Sequence, residues 1–286
     1  MKNLNKIALA ADLTEMDEKM LHFIKGYDSL FDFEELHIIH QIEIEELSED
    51  LEQLLQKKNK TLEELIREEI ESTVIEVFGS LKPSIHIYIQ PKPDFSELVT
   101  WINNSQFDLF FLGKKKSLEG TGIFSSKMVR LLSCNLILVP ETAKPLISKI
   151  LTPIDFSSYT QRVLEVSELI AKNTKSEFIP LHVLKIGIRY FPFFGNEKKI
   201  QKSLQKEADS KFEKLKKKVK IQGKLLSIIA EEEPIGVAIF KKAKELKVDL
   251  IIISKKGKSD DSDLLIGSVA ENLIANDKNI SVAIIQ

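Results

Sequence analysis

The chain has 286 residues, of which 43% are hydrophobic and 29% charged, with a formal net charge of −2. That length is long for one domain and comfortable for two, and the composition supports a packed core rather than disorder. No apolar run reaches the roughly eighteen residues of a membrane helix, no apolar run behind the first residues marks a signal peptide, and a single cysteine excludes an internal disulfide.

The small net charge hides an asymmetry. Residues 1–145 carry 16 Lys and Arg against 25 Asp and Glu, net −9, while residues 146–286 carry 25 against 18, net +7. An acidic half tethered to a basic half attracts it modestly, and the basic half suits an anionic ligand. The lysines are not interleaved with aromatics, which argues against nucleic acid.

In chain order, short apolar runs predict strands near 5–11, 34–40, 84–90, 108–112 and 135–139. Helical periodicity fills the gaps near 14–29, 48–78, 94–105 and 123–132. The alternation then repeats, with strands near 148–154, 177–184, 221–229, 249–254 and 280–285 and helices near 158–173, 196–219, 234–247 and 268–276. Strands separated by helices are βαβ units, so the expected class is α/β, with parallel sheets covered by helices on both faces. Right-handed crossovers restrict the topology to doubly wound forms.

The chain is a tandem repeat. Lys6-Ile-Ala-Leu-Ala-Ala-Asp12 returns as Lys149-Ile-Leu-Thr-Pro-Ile-Asp155, Leu36-His37 as Leu181-His182, and Asp108-Leu-Phe-Phe-Leu-Gly113 as Asp249-Leu-Ile-Ile-Ile-Ser254. Pro140 and Pro145 bracket an aperiodic segment that reads as the linker, which divides the chain into 1–145 and 146–286. The Lys/Glu-rich helices around 61–71 and 211–220 read as solvated faces over an apolar stripe. The loop 187–195 holds four aromatics and either caps the sheet or forms a patch for a partner or an adenine ring.

The stretch from Asp249 to Val269 carries the chemistry. A buried-strand signal feeds a loop with Gly257 and restarts as a helix at Gly267-Ser268. A strand, a glycine loop and a helix N-terminus together hold phosphate well, because backbone N–H groups and the helix dipole favour an anion. In an open α/β sheet this crevice lies beyond the carboxyl ends of the strands where the winding reverses. Asp155, ending one strand, and Gly257, following another, flank that crevice.

The spacing resembles the nucleotide-binding signature of the universal stress protein family: Gly, two residues, Gly, nine residues, Gly, then Ser or Thr. Here Ser254 stands at the first glycine, followed by Gly257, Gly267 and Ser268. The resemblance covers nearly the whole chain in two copies. It implies two Rossmann-like open parallel five-stranded sheets, each in order 3-2-1-4-5, pairing through their last strands as a pseudo-dimer within one chain. It implies that Asp155 holds the ribose or adenine end, that Ile154 and Val183 line the adenine, and that Gly257, Gly267, Ser268 and the N–H of Val269 hold phosphates. The implied ligand is ATP or another adenine nucleotide, with or without Mg²⁺, in a cytoplasmic stress-response protein.

Simpler roles stand beside these. Asp155 can cap the following helix, and Ser268 with Glu271 has capping-box spacing. Asp260, Asp261 and Asp263 would repel a triphosphate unless Mg²⁺ bridges them or they point outward, while Lys255, Lys256 and Lys258 oppose them and could contact phosphates. In the first copy Asp12 is kept, but Gly113 is followed by three lysines, Gly122 matches Gly267 after a shorter loop, and Ile123 replaces Ser268. That site reads as degenerate. Cys134 lies in an apolar setting and reads as a small buried hydrophobe, and Trp101 as core. His37 and His40 fall on opposite faces of a strand, which opposes joint metal ligation. No catalytic constellation is apparent. The alternatives to a nucleotide-responsive regulator are a scaffold that works through its surfaces and a slow Mg²⁺-dependent ATPase.

Overall fold

A computed structural model describes residues 4–27, 33–79, 83–115, 123–185, 197–230, 233–257, 266–276 and 279–286. The strands are β1 (Lys6–Ala11), β2 (Glu35–Gln41), β3 (Ser84–Gln90), β4 (Leu109–Lys114) and β5 (Asn135–Pro140), then β6 (Lys149–Pro153), β7 (Glu177–Lys185), β8 (Leu226–Ala230), β9 (Leu250–Ser254) and β10 (Ser281–Ile285). The helices are α1 (Glu15–Gly26), α2 (Glu49–Lys58), α3 (Leu62–Phe78), α4 (Phe95–Asn104), α5 (Ile123–Leu131), α6 (Thr160–Thr174), α7 (Glu197–Val219), α8 (Ile235–Leu246) and α9 (Ser268–Asn276). Among the described residues no helix is long and apolar enough to cross a membrane.

All ten strands form one sheet, in the order β3-β2-β1-β4-β5-β10-β9-β6-β7-β8. Each run of five is parallel within itself, and the two meet where β5 and β10 pair antiparallel, with Leu138 opposite Val282 and Leu136 opposite Ile284. The strands alternate between two cores. Ile7, Leu9, Ile137, Val139, Ala283 and Ile285 face a layer built from α1, α3 and α6. Ala8, Leu136, Leu138, Val282 and Ile284 face a layer built from α4, α5, α8 and α9. Burial on both faces explains why these strands read as near-continuous apolar runs. A third cluster seats α7 through Phe212 against Ile154, Leu164 and Ile221.

Two element boundaries differ from expectation. The single helix expected over 48–78 is two, because Asn59 turns left-handed (φ 49°) and ends α2, and Thr61 starts α3 with a capping box to Glu64. Asn is among the few residues that take this conformation cheaply. The strand expected over 221–229 begins only at Leu226; Gly223 (φ 100°) bends the chain before it, and Ile221 packs under α7 instead.

The repeat is written in hydrogen bonds as well as in sequence. Asp108 accepts from the Lys6 N–H through Oδ2 at 3.0 Å and returns its own N–H to the Lys6 carbonyl at 2.8 Å. Asp249 does the same with Lys149 at 3.1 and 3.1 Å, and also accepts from Ser148 Oγ at 2.6 Å. Burial acts to raise the Asp249 carboxyl, but these hydrogen bonds outweigh it and hold the group below its usual range. One sequence equivalence needs correction. Register aligns His40, not His37, with His182: the His40 ring donates Nδ1–H to the Ala11 carbonyl at 3.0 Å, and the His182 ring donates Nδ1–H to the Ile154 carbonyl at 2.8 Å. Both acceptors immediately precede the aspartate that ends the first strand of their half.

Candidate functional site

In the second half the winding reverses between β6 and β9, which are neighbours in the sheet. Ile154 continues beyond β6, its N–H donating to the Leu181 carbonyl at 2.8 Å. Asp155 follows. Its Oδ1 accepts from the Ser157 N–H at 2.9 Å and from Thr160 Oγ1 at 3.2 Å, so the local turn role is real. Its Oδ2 faces the other way: a Cβ added to Gly257 would lie 3.1 Å from it. Asp155 and Gly257 therefore touch across the crevice although a hundred residues separate them. A side chain at 257 would press on the carboxylate, which would have to give by a few tenths of an ångström. Phe156 takes a left-handed conformation (φ 59°), which turns the chain sharply away from the strand end.

A cavity of about 370 Å³ opens here, within the roughly 300–1,000 Å³ usual for small-molecule sites. Ile154 and Asp155 line it from the end of β6 and Val183 from β7. Ser254 and Gly257 line it from β9 and the turn after it, and Gly267, Ser268 and Val269 from the start of α9. All eight residues singled out in the sequence thus border one space. Ser254 shows no left-handed strain; its hydroxyl donates to the Lys256 carbonyl at 2.6 Å and closes the turn. The Gly267 N–H donates to the Lys255 carbonyl at 2.8 Å, fastening the helix start to the end of β9.

The capping box at Ser268 does not form. The Glu271 N–H donates to the Gly267 carbonyl at 3.0 Å, so Gly267 is the cap residue and Ser268 the first residue inside the helix. The Glu271 carboxylate instead meets Arg130 of α5 at 2.7 Å. The loop lysines also part company. Lys255 is buried and its Nζ donates to the Leu132 carbonyl at 2.8 Å, across the β5–β10 seam, with burial pushing its pKa down. Lys256 lines the cavity. Lys258, Asp260, Asp261, Asp263, Gly122 and the aromatic loop 187–195 lie outside the described residues.

Several lining groups escaped the sequence reading. Ile235 and Ile239, one turn apart on α8, close one side of the cavity, and Thr160 and Val163 of α6 border another. The (i, i+4) spacing of two isoleucines was visible, but nothing in one chain says which core an apolar helix face meets. His182 also lines the space, its ring fixed by the Ile154 carbonyl and packed on Phe156 at 4.8 Å.

The first half carries the larger cavity, about 650 Å³, at the matching place beyond β1 and β4. Its lining includes Asp12, His40, Gly113, Lys115 and Phe124. Here Asp12 is paired with Lys115 at 2.5 Å. Asp17 stands where the second half has Thr160, so a second carboxyl crowds Asp12, accepting both the Asp12 and Leu13 N–H groups. Burial, with the Asp12 charge behind it, pushes the Asp17 pKa up to about 6. The larger cavity thus lies in the half whose strand-end aspartate is already paired with a lysine. Elsewhere, burial pushes the Cys134 thiol up to about 12, which makes it a poor nucleophile. Trp101 is half-buried and stacks on Tyr88 at 3.8 Å.

The family model for the universal stress protein family matches residues 147–285, the half that holds Asp155, Gly257 and Gly267. Universal stress protein MJ0577 of Methanocaldococcus jannaschii is 32% identical over 144 residues, which is 44% of this chain and 87% of that protein. The chain belongs to the universal stress protein family. Solved structures extend the likeness to both halves. A universal stress protein from Archaeoglobus fulgidus covers 100% of this chain and 99% of its own at a TM-score of 0.63 and 16% identity. A putative universal stress protein from Pseudomonas aeruginosa covers 99% and 94% at 0.65 and 14%. At such identities the likeness concerns the fold, which for this universal stress protein is the α/β arrangement described above.

Proposed function

We propose that residues 146–286 form a domain that binds ATP or another adenine nucleotide, and that residues 1–145 form a companion domain whose own nucleotide site is degenerate. The observation that supports this reading is the lining of the 370 Å³ cavity, where Asp155, Gly257, Gly267 and Ser268 meet at a helix start with Lys256 alongside. On this reading the adenine lies among Ile154, Val183, Ile235 and Ile239. The ribose meets the Asp155 carboxylate, and the phosphates meet the turn at Gly257 and the first turn of α9, where the helix dipole favours negative charge.

The nucleotide acts as a ligand that stabilises one state of a cytoplasmic regulator, and the two domains behave as a pseudo-dimer fused in one chain. Binding to the folded state alone raises stability by RT ln(1 + [L]/Kd), ~2.7 kcal/mol at a hundred times Kd. Thermal melting with millimolar ATP, ADP or AMP, with and without Mg²⁺, tests the reading. A nucleotide-dependent rise in Tm that Gly267→Val removes is the expected result. A melting temperature unmoved by all three nucleotides would count against it and favour a scaffold.

A further inference from the structure

At the end of the first half's strands opposite its own cavity, β2 and the edge strand β3 bring three metal-ligating side chains together. Glu35 and His37 are two apart on β2 and share a face. His86 lies directly across from His37 in the parallel register of β2 and β3. One ligand atom from each of Glu35, His37 and His86 lies within 4.8 Å of the others. His37 Nε2 is 2.8 Å from Glu35 Oε2, and the His37 and His86 rings stack at 4.5 Å. The nucleotide reading does not use this cluster.

We propose that Glu35, His37 and His86 form a binding site for a divalent cation of the zinc class. Two imidazoles and one carboxylate suit a borderline-soft late first-row ion, whereas Mg²⁺ and Ca²⁺ prefer oxygen sets. The ligand atoms lie within 4.8 Å of one another, with the Glu35–His37 pair at 2.8 Å, so an ion with bonds of about 2.0–2.2 Å requires the side chains to adjust around it, and stacked rings do not aim their nitrogens at one point. His86 is exposed, so its ring is the one free to turn and converge. His37 is held from below by Phe107 at 5.1 Å, which fixes the geometry of the inner ligand. Lys6 is the nearby cation that opposes binding; its Nζ is engaged by the Ser105 carbonyl at 3.1 Å and lies over the Phe107 ring. Three protein ligands leave the fourth position to water, and the ion ties the edge strand β3 to β2.

Zinc titration of the full, untagged, chelator-stripped chain tests the site, read by melting temperature and by the visible absorption of Co²⁺ in its place. The expected result is one saturable site per chain, a rise in Tm with Zn²⁺ and none with Mg²⁺. His86→Ala should lose at least tenfold in apparent affinity while melting normally without metal, because the residue is exposed. Glu35→Gln should weaken binding in the same direction, and His22→Ala, at a surface histidine on α1, should leave it unchanged. Zinc affinity in His86→Ala equal to that of the parent chain, or no saturation in the parent chain, would overturn the proposal.

Discussion

Asp155 shows how one side chain serves two purposes. One oxygen closes the turn after β6 and the other reaches Gly257, so local turn chemistry and long-range closure are satisfied together. Gly257→Val should therefore leave the fold intact but abolish any rise in Tm on adding ATP; retention of the full rise would mean that the turn at 257 does not border the ligand. In the first half the same turn carries a liability in Asp17, which is buried and whose pKa is raised to about 6. A raised carboxyl destabilises the folded state when ionised, so its contribution improves as pH falls through about 6 toward the unfolded value near 4. Asp17→Asn should remove that dependence. The stability difference between pH 7 and pH 5 should shrink by about 1 kcal/mol relative to the parent chain in urea titrations at the two pH values. An unchanged difference would show that Asp17 titrates normally.

At the scale of the element, most of the architecture was legible, because strands buried on both faces announce themselves as apolar runs and the helices between them keep their period. The exceptions lie where a single backbone torsion decides. The break between α2 and α3 depends on the left-handed Asn59 within a run of lysines and acids that has no Gly or Pro to mark it. The helix restarts because the Thr61 hydroxyl accepts from the Glu64 N–H while the Glu64 carboxylate accepts from the Thr61 N–H. Thr61→Ala should cost about 1 kcal/mol by chemical denaturation, with no effect on ligand binding; a neutral substitution would show that tertiary packing of Ile66, Ile70 and Val74 alone holds α3. The candidate site was legible where its residues end strands or start helices, as Asp155, Gly257 and Gly267 do. Ile235, Ile239 and the Glu35–His37–His86 cluster were not, since their proximity depends on strand order and register rather than on spacing along the chain.

Across the whole molecule, both cores run unbroken through the β5–β10 pairing. Leu136 and Leu138 share a cluster with Ile251, Ile253, Val282 and Ile284. Lys255 and Gln286 from one half both donate to the Leu132 carbonyl of the other, at 2.8 and 3.1 Å. Calorimetry should accordingly show one cooperative transition for the chain. Leu136→Ala, at a fully buried seam position, should lower stability by about 2–5 kcal/mol without splitting that transition. Two separated transitions in the parent chain would mean that the halves unfold independently. The antiparallel pairing has a geometric corollary. Because β5 and β10 run in opposite directions, the strand ends bearing Asp12 and Asp155 point toward opposite poles of the molecule. The two hollows open toward opposite poles, so their occupants do not meet, and the routes by which one can influence the other run through the shared sheet and the Arg130–Glu271 contact between α5 and α9.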